Sequence, residues 1–273
     1  MYNIAEYGKT KKGKGFIMSF AEFRFRSASL SHDTSVCVVL PDDGPEEDIP
    51  VLWLLHGMHG SHDSWIRKSN IERCALERGI AVVTPEGENS FYHDMKYGKK
   101  YFTYISEELP AIIRRTFRIS AARKKNFIAG LSMGGYGAVR TALLCPDKYA
   151  GCASLSGCVD IASTASDDSD AEYAVPIWGE GYRESIRGSD SDIFAILRSF
   201  PADKPLPTIY FCCGRQDFLW PQHEAFRSLL EELSQKRKID WTAEDWDGVH
   251  NWAFWSRHVS RAVDVITAPY LKQ

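Results

Sequence analysis

The stretch Phe127-Ile128-Ala129-Gly130-Leu131-Ser132-Met133-Gly134-Gly135-Tyr136-Gly137 constrains the chain more tightly than any other. A short apolar run feeds a Gly-x-Ser-x-Gly and then a helix-like pattern. A serine at the apex of a tight strand-to-helix turn sits in strained backbone, and its neighbours two places either side must lack bulk so that strand and helix can approach. Gly130 and Gly134 meet that demand. The helix that follows points its first N–H groups at Ser132, where dipole and hydrogen bonds stabilise developing negative charge. Chemistry at Ser132 is the functional reading; a glycine-rich turn that happens to carry a serine is the competing one, and partners elsewhere decide.

The rest of the chain alternates strand and helix patterns around that turn. Phe20, Phe23 and Phe25 alternate with Arg24 and Arg26 as a first strand, and Thr34 to Leu40 forms a second, ended by Pro41-Asp42-Asp43-Gly44. These two read as an antiparallel opening pair. Val51 to Leu55 and Ile80 to Thr84 are continuous apolar runs, suited to strands buried on both faces. Asn126 to Ala129, Tyr149 to Leu155, Thr208 to Cys213 and Asp240 to Ala243 supply further strands. Helices are expected at Asn70 to Glu77, Tyr101 to Phe117, Gly135 to Leu144, Gln222 to Gln235 and Trp252 to Ile266. This order predicts an α/β fold with a mostly parallel central sheet and helices on both faces. Between Cys158 and Lys204 the alternation breaks, Ser and Asp accumulate, and only Asp192 to Arg198 looks helical. Residues 158–204 are therefore read as a small lid or cap insertion in a single domain of residues 18–273. Residues 1–17, polar and rich in Lys and Gly, are read as a flexible leader, with Met18 an alternative start to Met1.

Composition narrows the function classes. Charged residues make up 25% of the 273 and the net charge is −3, which offers no nucleic-acid footprint despite short basic runs at Lys9 to Lys14 and Arg123 to Lys125. Seven cysteines, an odd number, sit mostly inside apolar runs and imply a reducing compartment. No apolar run approaches the ~18 residues a membrane span requires, and no secretory signal core is present. The expectation is a cytoplasmic enzyme without membrane or nucleic-acid partners, its oligomeric state, a homo-oligomer included, left open.

A serine hydroxyl needs an imidazole to take its proton and a carboxylate to orient that imidazole. Asp217 lies in Gly214-Arg215-Gln216-Asp217-Phe218, directly after one strand, and His250 in Gly248-Val249-His250-Asn251-Trp252, directly after the last. The order Ser132, Asp217, His250 is that of the α/β-hydrolases. Asp245 and Asp247 are weaker candidates for the acid, because each lies too close to His250 along the chain; His258, inside a helix, is a weaker base. The oxyanion hole takes the N–H of Met133 and one from His56-Gly57-Met58, that of Met58 in preference to Gly57. His56 then braces the loop. His56, His59 and His62 beside Asp63 also invite a metal reading, but Gly57 and Gly60 argue against a helix there and no second ligand cluster stands out. No metal or cofactor is expected.

With these residues assembled, the chain resembles the esterase D-like branch of the α/β-hydrolases, which includes S-formylglutathione hydrolases, feruloyl and acetylxylan esterases and mycolyltransferases, with small bacterial tributyrin esterases the nearest likeness. The matching stretches are Val51 to Met58 with Ser64-Trp65, Tyr104 to Pro110, Phe127 to Gly137, Cys213 to Leu219, and His250 with Trp252 and Trp255. The resemblance implies the triad Ser132, Asp217, His250, oxyanion donors Met58 and Met133, and hydrolysis of short-chain acyl esters, acetyl or cinnamoyl-type esters of carbohydrates among them. Trp178, Tyr182, Trp220 and Trp252 are expected to supply aromatic pocket walls. Thioester hydrolysis on S-formylglutathione and acyl transfer are alternative chemistries, the transferase disfavoured by the missing secretion signal. A non-catalytic binding module is disfavoured by the complete constellation.

Overall fold

The computed structural model describes residues 18–41, 47–164 and 171–271. The leader 1–17 and the Asp42-Asp43-Gly44 part of the first turn lie outside the described residues. Strands β1 (Met18–Arg26) and β2 (Asp33–Pro41) open the chain as the expected antiparallel pair, Phe23 opposite Val36. β3 (Val51–Leu55) follows, then short helices α1 (Ser64–Lys68) and α2 (Ile71–Arg78), and β4 (Ala81–Pro85). Tyr101 to Phe117 is α3 (Tyr101–Thr103), a wide π-helical turn at Tyr104–Glu108, and α4 (Leu109–Phe117). β5 (Asn126–Leu131) leads through Ser132 into α5 (Met133–Leu144), then β6 (Gly151–Leu155).

The segment after β6 departs from expectation. Besides α9 (Ile193–Arg198), it contains α6 (Ile161–Thr164), α7 (Ala171–Trp178) and α8 (Tyr182–Ile186). Helices of four or five residues are too short to show a period, and Pro176 inside α7 reads as a breaker while the chain stays helical around it. β7 (Thr208–Gly214), α10 (Trp220–Ser234), β8 (Trp241–Trp246) and α11 (Trp252–Thr267) complete the order.

The eight strands form one sheet in the order β1-β2-β4-β3-β5-β6-β7-β8, parallel from β4 to β8. Successive side chains on a strand point to opposite faces, so the continuous apolar runs feed two cores. Val51, Trp53 and Leu55 of β3 join Ile128 and the α5 residues Met133, Tyr136 and Val139 on one side. Leu52 and Leu54 join Phe127, Ala129 and the α11 residues Val259, Ala262 and Val263 on the other. Covered on both faces, the sheet exposes its chemistry at the carboxyl ends of its strands, where β3, β5, β7 and β8 deliver the candidate residues.

Candidate active site

The turn after β5 is as tight as its glycines require. Ser132 has φ 53° and ψ −121°, in the left-handed half of backbone space that side chains avoid. A Cβ on Gly130 would stand 2.3 Å from the Gly134 oxygen, and one on Gly134 would stand 2.5 Å from the Leu55 and His56 oxygens. Any larger residue there would push helix, strand and the loop after β3 apart. The strained turn is held by the Ser132 N–H donating to Leu155 O at 3.0 Å and by Ser132 O accepting from Tyr136 N–H at 3.1 Å.

The loops after β7 and β8 reach Ser132 as a joined pair. Gln216 N–H donates to Gly248 O at 3.0 Å, and Gly248 N–H donates back to Gln216 Oε1 at 2.7 Å. Gly214 lets the two backbones close, since a Cβ there would be 2.3 Å from Gly248 O. Sequence reading had passed over Gln216; its side chain carries no chemistry, and only the three-dimensional pairing shows its use. The joined loops bring Asp217 to His250: Nδ1 lies 3.0 Å from Oδ1 and 2.9 Å from Oδ2. His250 Nε2 stands 3.0 Å from Ser132 Oγ. With Nδ1–H donating to the carboxylate, Nε2 is the acceptor for the serine proton. Burial works against the Asp217 charge, but the His250 bond and the Leu219 N–H, 2.9 Å from Oδ1, hold its carboxyl below the ordinary carboxylate range. Asp217 therefore stays ionised. The rival acids are engaged elsewhere, Asp245 with Arg215 and Arg227 and Asp247 with Arg215, while His258 stacks on Trp246.

The loop after β3 lies against the serine, as a Cβ on Gly57 would be 3.3 Å from Ser132 Cβ. Met133 is the first residue of α5, where no intrahelical acceptor exists for its N–H. Among the described residues neither Met133 N–H nor Met58 N–H donates to another protein group, so both are available to an oxyanion. A second layer fixes this loop. His56 is buried, with Nδ1 donating to Gly57 O at 2.7 Å and Nε2 2.9 Å from the Gly87 nitrogen. The Tyr92 hydroxyl donates to His56 O at 2.9 Å. Glu86 accepts the Gly87 and Glu88 N–H groups, each at 3.0 Å, and lies beside His56 and His62. Burial opposes its charge, yet the two histidines hold the Glu86 carboxyl far below its ordinary range. His56 and His62 thus share Glu86, His62 also meeting Glu22, whereas His59 packs apart from them with Asn89 and Tyr173. Among the described residues no three His, Cys, Asp or Glu side chains gather as a metal site.

The four expected pocket aromatics pack as follows. Trp178 packs on Phe91 and His93 and its Nε1 donates to Ser191 Oγ at 3.0 Å; Tyr182 is buried in the core; Trp220 stacks on His223; Trp252 meets Trp65 and Trp255 edge-on. The rings against His250 are Phe218, at 4.6 Å between centroids, and Trp255, at 4.8 Å. A recess of about 450 Å³, lined by His59, Glu86, Asn89 and Tyr173 among others, opens between the loops after β3 and β4 and helix α7; its lining includes neither Ser132 nor His250.

A strained serine on a strand-to-helix turn, an imidazole and a buried carboxylate in this topology define a serine hydrolase of the α/β-hydrolase fold. The chain belongs to the "Putative esterase" family, whose model matches residues 27–264, and it is an esterase acting on carboxylic esters. It is 33% identical over 263 residues to an acetyl esterase of Caldicellulosiruptor saccharolyticus, covering 90% of this chain and 97% of that one. Among solved structures it is similar to the substrate-bound fluorophosphonate-binding serine hydrolase F of Staphylococcus aureus, at 29% identity and TM-score 0.83, covering 92% and 98% of the two chains. An S-formylglutathione hydrolase of S. aureus follows at 30% identity and TM-score 0.80, covering 92% and 99%. No helix among the described residues is long and apolar enough to cross a membrane.

Proposed function

We propose that the protein hydrolyses short-chain carboxylic esters, acetyl esters first among them, through an acyl-enzyme on Ser132. The Ser132–His250–Asp217 chain of contacts, 3.0 Å and then 2.9 Å, carries this reading. His250 Nε2 takes the serine proton as Oγ attacks the ester carbonyl, and the tetrahedral oxygen receives the Met58 and Met133 N–H groups. The C–O bond to the alcohol then breaks, the electron pair leaving with the oxygen, which receives the proton held on Nε2. Water repeats the sequence on the acyl-enzyme. Asp217 holds the imidazole tautomer and faces the imidazolium that forms at each step. The α6 to α9 segment serves as a cap that shapes the pocket.

Acetyl specificity is supported by the acetyl esterase relative, and acetyl or cinnamoyl esters on sugars are further substrates of the same chemistry. A second reading, S-formylglutathione hydrolysis, is supported by the S. aureus structure and by 26% identity over 203 residues to the S-formylglutathione hydrolase of Paracoccus denitrificans. A p-nitrophenyl ester series from acetyl to long acyl chains, run beside S-formylglutathione, separates the two. The expected result is turnover that falls with chain length, weaker turnover of the thioester, and a loss of ~10³-fold or more in Ser132→Ala. A thioester preferred over every oxygen ester would replace the first reading by the second.

A further inference from the structure

The described residues leave four large hydrophobic side chains well exposed: Phe20, Tyr97, Phe218 and Val249. Two of the four adjoin triad residues in sequence, Phe218 next to Asp217 and Val249 next to His250. Phe218 is the most exposed, at 72%. Its position follows from the turn that carries the acid. Asp217 and Leu219 are both buried, with Leu219 N–H on Asp217 Oδ1 at 2.9 Å and Trp220 N–H on Asp217 O at 3.0 Å. The residue between two buried neighbours is turned outward, and here outward means over the imidazole.

The two rings on His250 are not equivalent. Trp255 meets it edge-on from α11 and is itself buried, so it acts as a wall of the fold. Phe218 meets it at 4.6 Å and an angle of 49°, and leaves most of its own surface to solvent. His250 Nε2 must reach the leaving oxygen of the ester to return the proton taken from Ser132, which places that oxygen within about 3 Å of Nε2. Carbon atoms attached to the oxygen then fall beside the ring that lies on the same imidazole.

Resting on the esterase reading above, we propose that Phe218 is the platform for the alcohol half of the substrate and selects esters whose alcohol carries an aromatic or other apolar group. Val249 extends the apolar surface on the neighbouring loop. An aromatic alcohol covers the Phe218 ring and removes apolar surface of both from water, in the offset or edge geometry that aromatic pairs prefer. A small alcohol such as ethanol leaves the ring exposed.

The test compares ethyl acetate with benzyl acetate, whose alcohols are similar in basicity, so leaving-group ability does not mask binding. Ethyl butyrate against ethyl acetate reports the acyl side. The wild type is expected to favour benzyl over ethyl acetate in kcat/KM. In Phe218→Ala the benzyl-to-ethyl ratio is expected to fall on the order of 10-fold, mainly through KM, while the butyrate-to-acetate ratio holds. Phe218→Leu restores part of the ratio. Because the side chain is exposed, the thermal midpoint serves as a check that both variants remain folded. Equal losses on all three esters, or a shifted pH profile with an unchanged ratio, overturn the proposal and make Phe218 a positioning residue for His250. A change confined to the butyrate-to-acetate ratio moves the platform to the acyl side and overturns it as well. If the wild type hydrolyses none of the esters in a Ser132-dependent way, the esterase reading fails and takes this proposal with it; Ser132-dependent turnover with an unmoved ratio removes the proposal alone.

Discussion

The turn at Ser132 and the described residues of the segment after β6, proposed above as a cap, share one core with α5 but differ in how closely backbone meets backbone. At the turn, backbone is pressed against backbone: Gly130 on Gly134, Gly134 on the Leu55 and His56 carbonyls, Gly57 on Ser132. The segment proposed as a cap buries Ile161, Ile177, Tyr182, Ile186, Ile193 and Leu197 in the core it shares with α5, and polar side chains of the body tether it as well. Tyr136 of α5 donates its hydroxyl to Ser191 O at 2.8 Å and lies 2.8 Å from Nε2 of the buried His93. Arg140, one turn further on, donates to Asp190 O at 2.7 Å and to its carboxylate at 2.9 Å. Close backbone packing is intolerant of any added atom, whereas a polar tether is weakened by losing one partner or gaining one proton. The first arrangement tolerates no change near Ser132, and the second allows side chains of the proposed cap to change with less effect on the turn.

Substitutions should separate the two regions, and the largest effect belongs to the triad. Asp217→Asn keeps the volume but removes the charge and the tautomer preference, so kcat is expected to fall on the order of 10³–10⁴-fold with the cap undisturbed. Steady-state kinetics beside near-ultraviolet circular dichroism checks both halves of that statement. Gly134→Ala comes next: its methyl group cannot avoid the Leu55 and His56 oxygens, so the oxyanion loop must shift. A displacement of about 1 Å there is expected to lower kcat roughly 10²-fold, and the overpacking to cost about 1–3 kcal/mol of stability by denaturant unfolding. Activity retained within a few-fold would show that the turn has more room than its contacts indicate.

Tyr136→Phe tests the cap. It strands the His93 N–H and Ser191 carbonyl in a buried place, which costs about 1–3 kcal/mol, and it should act on KM more than on kcat. The same tether is sensitive to acid. Burial and then the Arg140 charge depress the His93 pKa well below 6.5, so between the two values the unfolded chain binds a proton that the folded one does not. Stability therefore falls as pH drops below about 6.5, joined by His223, whose pKa burial lowers to about 4. Asp217 acts in the same direction at lower pH: its depressed carboxyl contributes stability in full above its unfolded value near 3.8, and that contribution is lost progressively as pH falls from there through the lower folded value. Thermal midpoints between pH 7 and 4 should thus decline, and His93→Asn should flatten the decline; an unchanged slope would remove His93 from this role. The smallest effect is expected at Asp245. It pairs with the partly exposed Arg215 and Arg227 rather than His250, so Asp245→Asn should cost about 0.2–1 kcal/mol and leave kcat within about two-fold.

The same contrast explains what could be read without coordinates. Gly130, Ser132 and Gly134 announce the turn because steric exclusion acts over four residues of chain, and the buried strands β3 to β7 announce themselves as apolar runs. Asp217 and His250 were legible because each directly follows a strand, and parallel strands deliver such positions to one edge. The insertion at 158–204 was legible as a break in the alternation, but its helices and tethers were not: α6 and α8 are too short for periodicity, α7 contains Pro176, and the contact of Tyr136 with Ser191 spans 55 positions. Phe218 and Gln216 were in view as letters beside Asp217, yet ring placement and loop pairing depend on the third dimension. Trp178, Tyr182, Trp220 and Trp252 were read as pocket walls from their place on the loops, and that reading does not say which rings meet the imidazole, where the structure sets Phe218 and Trp255.

The measurement that bears most directly on the central claim is covalent capture of the nucleophile. A fluorophosphonate offers an electrophilic phosphorus that loses fluoride to an activated serine oxygen, leaving a stable phosphonyl ester. Intact-mass spectrometry followed by peptide mapping should find one adduct per chain, on Ser132, formed rapidly in the wild type, slowed on the order of 10³-fold or more in His250→Ala, and absent in Ser132→Ala. An adduct on another residue, equal labelling of Ser132→Ala, or rates indifferent to His250 would contradict the assignment of Ser132, His250 and Asp217 as the catalytic unit.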